Sequence, residues 1–497
     1  MIRIPHWIDG AERPEGVADL PVFDPAQGVE TARVPSGDRT TVAHAVASAV
    51  AAFPVWRETS LAHRSAILFR FRQLLADRAE KLAQAVVREN GKVLEDARGE
   101  VRRGLDVVEF ACGVPHLLRG GFTENVSSGI DTYSLRQPLG VVAGITPFNF
   151  PVMVPLWMVP LAVACGNAFV LKPSEKDPSP ALLLARWFSE AGLPPGVLNV
   201  IHGAHLASTA LLEHPDVRAV SFVGSSPVAR FVYETATRHG KRVQALAGAK
   251  NHMVVMPDAD LDTAAGAAVS AAYGSAGERC MAISVVVAVA EVAEPLVRRI
   301  ADRAGRIVVG NGLDPKSQMG PLVTAEHRDR VAAYVGRGAA EGAAIVLDGR
   351  RSARPNGDQG FFLGPCLLDR VTPAMAVYRD EIFGPVLSVV RVGTFEEARD
   401  LINANPFANG VAVFTGSGAV ARRFQHEIEV GMVGINLPIP VPVAYYSFGG
   451  WKASLFGDTH VYGEDGVRFY TRTKVVTARW GTEERGRGTD LGFPVAD

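Results

Sequence analysis

From residue 140 onward, short apolar runs alternate with amphipathic stretches, and this alternation constrains the fold more than any other feature. The runs GVVAGI (140–145), AFVLK (168–172), VLNVI (197–201) and VRAVSFVG (217–224) are separated by segments such as ALLLARWFSEAG and LASTALLEHP. Apolar runs without polar alternation are strands covered on both faces, and the amphipathic pieces between them are the crossover helices of a parallel sheet. A second section of the same kind begins near Met253. It holds AAGAAVSAAYGSAG, ISVVVAVA (283–290), HRDRVAAYVGRGAAEG, VLSVVRV (386–392), then FEEARDLINAN and GVAVFTG (410–416). Residues 40–112 instead carry apolar side chains at three- and four-residue spacing and read as helices. The chain has 497 residues, too many for one core, so two or three domains are expected. The closing GTEERGRGTDLGFPVAD is polar and Gly-rich and reads as a loose tail.

No charged residue occurs between Arg136 and Lys172, and VMVPLWMVPLAVACGNAFVL (152–171) has the length of a bilayer span. Pro138, Pro147, Pro151, Pro155 and Pro160 fall in or just before it, and a helix broken so often would leave amides unpaired in lipid. A buried strand, a loop and a buried helix fit better. The 51 basic and 52 acidic residues leave a net charge of −1, which gives no general attraction to nucleic acid or anionic membrane. Cys112, Cys165, Cys280 and Cys366 stand far apart without a C-x-x-C pair, so neither a disulfide framework nor a metal site is expected. A reducing compartment suits them. The opening MIRIPHWIDGAERP lacks the apolar core of an export signal, which points to the cytoplasm.

Three stretches carry chemistry. SFVGSSPVARFVYETA (221–236) is an apolar strand, a turn and a helix; Gly224 allows close backbone approach and the amides around Ser225 suit a pyrophosphate. There is no G-x-G-x-x-G and no P-loop, and a turn of this kind is also plain structure. In GSAGERCMAISVVVAVA (274–290), Cys280 reads either as a small core hydrophobe or as a nucleophile whose neighbour Arg279 favours thiolate. In ITPFNFPVMVPLW (145–157), Asn149 either bonds to loop backbone or donates its amide to a developing oxyanion. Lys172 and Glu175 in VLKPSEKDP (170–178) are a pair suited to ribose hydroxyls and phosphate, or a solvated strand end.

PFNFP, LKPSE, SFVGS, GERC and EIFGPV (381–386), in this order, resemble the aldehyde dehydrogenase superfamily over residues 5–480. GAKNH (248–252), RCMA (279–282), GINLPIPVPVAYYSFGG (434–450) and GDTHVYGEDGVRFYT (457–471) are similar to the CoA-acylating methylmalonate-semialdehyde dehydrogenase branch. The resemblance implies an α/β fold of two parallel domains plus a small β oligomerisation element. It implies an NAD-binding domain from 1–120 and 142–252, a catalytic domain at 253–450, and an oligomerisation element from 121–141 and 451–480. TYSLRQPLG is expected as an exposed edge strand of that element, covered by a partner in a homotetramer. Cys280 is implied as nucleophile and Asn149, with the Cys280 N–H, as oxyanion donor. Thr146, Phe148, Lys172, Glu175, Lys176, Gly224, Ser225 and Glu381 are implied as NAD contacts, and Arg103 and Arg279 as ligands of a substrate carboxylate.

One difference from hydrolytic relatives has chemical weight. They carry ELGGK where this chain has LAGAK (246–250), so the Glu that activates water corresponds to Leu246. A leucine accepts no proton, which leaves the thioester for a more acidic nucleophile, the thiol of CoA. The expected reaction is NAD-dependent oxidation of a semialdehyde to an acyl-CoA, with loss of the substrate carboxylate. The rivals are a hydrolytic dehydrogenase that releases a free acid, a cysteine hydrolase that would need a histidine such as His252 at Cys280, and a non-catalytic protein on the same fold.

Overall fold

A computed structural model describes residues 2–352, 355 and 359–480; the tail expected at 481–497 lies outside them. Four helices, α1 (Arg39–Glu58), α2 (Leu61–Asp77), α3 (Ala79–Asn90) and α4 (Leu94–Cys112), follow the spacing of their apolar residues. Asp38 starts α1 as an N-cap, accepting from the Thr41 amide at 2.9 Å. The charge-free stretch becomes a strand (Val141–Ile145), a loop and the wholly buried α5 (Met153–Ala164). Among the described residues, no helix is long and apolar enough to cross a membrane.

The next elements are α6 (Ser179–Glu190), α7 (His205–Glu213), α8 (Ser226–Arg238) and α9 (Leu261–Tyr273). They alternate with strands Ala168–Lys172, Leu198–Val200, Val217–Val223 and Arg242–Leu246, which with Val141–Ile145 run parallel in one sheet. In chain order these five lie as 3-2-1-4-5, so the winding reverses between Val141–Ile145 and Val217–Val223. The crevice beyond the carboxyl ends at such a reversal is where α/β sheets bind ligands. Thr146–Asn149 and Gly224–Ser226 leave the sheet there.

A second sheet holds six parallel strands with Asn251–Val255 and Ile283–Val289 adjacent near its centre, and one antiparallel edge strand, Ala344–Leu347. Each sheet has its own apolar core. The third layer differs from expectation in two ways. Ile130–Pro138 is the central strand of a three-stranded sheet, paired along nine residues with Thr471–Arg479 and on its other side with Phe122–Ser127; it is not an edge. Leu455–Phe456 joins the first parallel sheet beside Arg242–Leu246 and takes no part in the hairpin layer.

Candidate active site

Cys280 stands on the segment between α9 and the Ile283–Val289 strand. Ser275, Ala276 and Gly277 all have positive φ (49°, 51° and 72°), a left-handed turn costly for the first two. Gly277 has no substitute here, since a Cβ would overlap the Gly384 carbonyl. Asp96 of α4 holds the turn: its Oδ2 accepts from Ser275 N (2.9 Å) and Oγ (3.0 Å), and its Oδ1 accepts from Arg279 Nη2 at 2.5 Å. Arg279 is thus paired with Asp96; it does not line the main cavity but lines a small one that Cys280 shares.

Cys280 is half-buried and is the one cysteine lining a cavity of about 750 Å³; Cys112, Cys165 and Cys366 are buried elsewhere. Burial pushes its thiol up to about 12, with the Glu381 carboxylate adding repulsion. The backbone N–H groups of Cys280 and Met281, and the Arg279 charge, act in the opposite direction and favour thiolate.

Asn149 lines the same cavity, and its Nδ2 donates to the Glu278 carbonyl at 2.9 Å. Its loop is fixed by a pair that the motifs did not point to. Lys92 and Glu100 form an ion pair of 2.8 Å with side chains 1% and 0% exposed. Lys92 Nζ also donates to the Asn149 carbonyl at 2.6 Å, and Glu100 Oε1 accepts the first amides of α5, Val152 N (2.8 Å) and Met153 N (3.1 Å). One carboxylate therefore compensates both a buried lysine and a helix N-terminus. The signal was present in α4: Ala97, Glu100, Val101, Gly104, Val107, Val108 and Ala111 form its buried stripe, and one of them is charged.

Phe148, Lys176, Gly224, Ser225 and Glu381 line the cavity with Cys280 and Asn149. Thr146 and Lys172 lie at the ends of adjacent strands running into it, the Thr146 amide donating to the Lys172 carbonyl at 3.1 Å. Lys172 Nζ stands 3.3 Å from Glu175 Oε2. Burial raises the Glu175 carboxyl, but Lys172, the Glu175 amide and Lys176 together outweigh it and hold the group below its ordinary value. Glu381 Oε1 accepts from Ala249 N at 2.9 Å, and burial brings its carboxyl up to about 7. Gly248 passes so close that a Cβ would strike Glu381 Oε2. His327, also on the cavity, donates from Nε2 to the Phe383 carbonyl (2.7 Å) and is kept neutral by burial, its value lowered to about 4.

Leu246 is buried in the apolar cluster against which Cys280 packs. His252 is buried against Tyr378, its Nε2 3.1 Å from the Tyr378 hydroxyl, and makes no bond to Cys280. Arg103 is exposed on α4 and lies outside the main cavity; with Trp157, Pro442 and Tyr462 it lines a small separate one, its Nη1 3.5 Å from the Pro442 carbonyl.

The model of the aldehyde dehydrogenase family matches residues 12–476. A malonate-semialdehyde dehydrogenase of Pseudomonas aeruginosa is 53% identical over 495 residues, 99% of this chain and 100% of the relative. The crystal structure of a methylmalonate-semialdehyde dehydrogenase from Oceanimonas doudoroffii superposes with a TM-score of 0.96 at 51% identity, covering 97% of this chain and 99% of that one. A structure from Sinorhizobium meliloti described as a putative methylmalonate-semialdehyde dehydrogenase complexed with NAD gives 0.96 at 49% identity, covering 98% and 100%. On the family match along nearly its whole length, the chain belongs to the aldehyde dehydrogenase family.

Proposed function

We propose that this enzyme oxidises malonate semialdehyde or its methyl-substituted counterpart with NAD and passes the acyl group from Cys280 to CoA. The observation that carries the acyl-transfer half is Leu246, buried in the apolar cluster against which Cys280 packs, at the position where the motif of hydrolytic relatives has a base. The relatives' substrates and the cavity's composition support the rest.

The cavity fits a dinucleotide. Lys176, Arg330 and Arg379 supply positive charge along it and Glu381 an acceptor for ribose hydroxyls, with Glu175 beside Lys172 at the adjacent strand end, and the buried Thr146 Oγ1 lacks a partner among the described residues. NAD, when bound, takes the hydride from the oxidised carbon. Cys280 Sγ attacks the aldehyde carbon, and its own N–H and the second Nδ2 hydrogen of Asn149 receive the oxyanion; one such donor contributes about 3 kcal/mol in the transition state. The resulting thioester meets no base at Leu246, so water attacks slowly and CoA sulfur cleaves it. A carboxylate β to the acyl carbon leaves as CO2, because the same donors accept the enolate. Arg103 and Arg279 are the proposed ligands of that carboxylate; Arg103 is exposed outside the main cavity, and Arg279, paired with Asp96, lines a small cavity that Cys280 shares. The enzyme is expected to work in the cytoplasm as a homotetramer.

The test is NADH formation from malonate semialdehyde with and without CoA. The expected result is sustained turnover to acetyl-CoA and CO2 with CoA, and a single burst without it. Equal sustained rates without CoA, with a free acid as product, would overturn the acyl-transfer reading.

A further inference from the structure

The carbonyl of Cys280 is held by two buried amides from different parts of the second sheet. Asn251 opens its strand; its Nδ2 donates to Cys280 O and to Ala282 O, both at 2.9 Å, while its Oδ1 accepts Gly410 N at 3.0 Å. The backbone N–H at Oδ1 fixes which end of the amide is nitrogen. Asn409, in the turn before Gly410–Phe414, donates its Nδ2 to the same Cys280 oxygen at 3.2 Å and lies 3.1 Å from Met281 Sδ. Both asparagines are at most 4% exposed. The ladder between Asn251–Val255 and Ile283–Val289 shifts register at Asn251, where pairing gives way to these side-chain bonds.

Two donors fill both lone pairs of one carbonyl and so fix the plane of the Cys280–Met281 peptide. In a trans peptide the C=O and N–H point in opposite directions. An oxygen anchored in the sheet turns the Met281 N–H toward the other side, and the backbone N–H groups of Cys280 and Met281 are among the influences that favour the Cys280 thiolate against its burial. We infer that Asn251 and Asn409 are positioning residues of the reaction: by clamping the Cys280 carbonyl they aim the two backbone donors that stabilise the nucleophile's negative charge. This rests on Cys280 being the nucleophile. It assigns the activation of the thiol to sheet-borne amides, in a site where burial works against ionisation and no histidine bonds to the sulfur.

The experiment is the pH profile of inactivation by iodoacetamide, measured on the full-length enzyme with Cys280→Ser as background. Asn409→Ala and Asn251→Ala are expected to slow alkylation at pH 7 by roughly 3- to 10-fold and to move its midpoint up by about 0.5–1 pH unit, the usual scale for losing one hydrogen bond to a thiolate. The double variant should shift less than the sum, because both bonds act through one oxygen. Asn409→Leu, which fills the site without a donor, should behave as Asn409→Ala, and Asn409→Gln should recover part of the reactivity. Asn409 lies in a turn, so its Leu and Gln variants decide the question even where Asn251→Ala folds poorly. A folded Asn409→Leu enzyme with the wild-type profile overturns the clamp. Alkylation and turnover that survive Cys280→Ser overturn the nucleophile itself, a separate failure.

Discussion

Leu246, in the apolar cluster against which Cys280 packs, and Glu381, which lines the Cys280 cavity, each carry a test of the proposed reaction. A base aligned on a water contributes about 10²- to 10⁴-fold. Leu246→Glu is therefore expected to raise release of free acid in the absence of CoA by at least about 10-fold, converting the burst into steady turnover; the check is product analysis with NADH formation. Glu381 predicts a pH dependence. Burial raises its carboxyl to about 7, and a ribose hydroxyl needs the ionised form as acceptor. Cofactor affinity should therefore fall as pH drops through about 7, visible as a rising KM for NAD, and Glu381→Gln should flatten that dependence. Single residues were also where the sequence was least complete. Motifs pointed to Cys280, Asn149, Phe148, Lys176 and Glu381, which meet in one cavity. The pairing of Arg279 has no local signal, because its partner Asp96 is 183 residues away. Asn251 and Asn409 carried no local signal either, because their role exists only when two strands and the nucleophile loop converge.

Elements were easier to read than their partners. Apolar spacing gave α1–α4, and the prolines of the charge-free stretch excluded a membrane helix in favour of the strand, loop and α5 that are present. Pairing is a different matter. Period-two alternation in TYSLRQPLG marks a strand but carries no information on how many neighbours it has, and Ile130–Pro138 has two. The Lys92–Glu100 pair makes an element-scale prediction, since it joins α4, the α3–α4 connection, the Asn149 loop and the start of α5. Glu100→Gln leaves a buried lysine without its counter-charge, a change that typically costs about 3–5 kcal/mol. The expected outcome is a marked drop in urea midpoint together with a fall in kcat larger than any change in KM for NAD, because Asn149 loses its anchor while the groove beyond Ser225 keeps its shape. A variant destabilised with normal kcat at low temperature would separate the pair from catalysis.

At the scale of the whole molecule, two parallel sheets carry the site between them and a third, three-stranded layer stands apart from it. The first sheet supplies the reversal of winding at which Asn149, Gly224 and Ser225 emerge, and the second supplies Cys280 and Glu381. The site thus depends on two sheets meeting, which explains why the ordered motifs are scattered over the chain. The third layer makes no comparable contribution to the cavity, yet it exposes Phe122 (66%), Leu135 (43%), Val475 (65%) and Trp480 (60%). A small twisted sheet with this much apolar side chain in water is an interface in waiting. Because Leu135 and Val475 stand on the paired central and edge strands, charges at these positions oppose association without removing any contact of the two large cores. Leu135→Glu combined with Val475→Glu is expected to lower the assembly's mass in sedimentation or light scattering while far-UV circular dichroism stays unchanged. An unaltered mass would mean that this layer is not an interface between subunits.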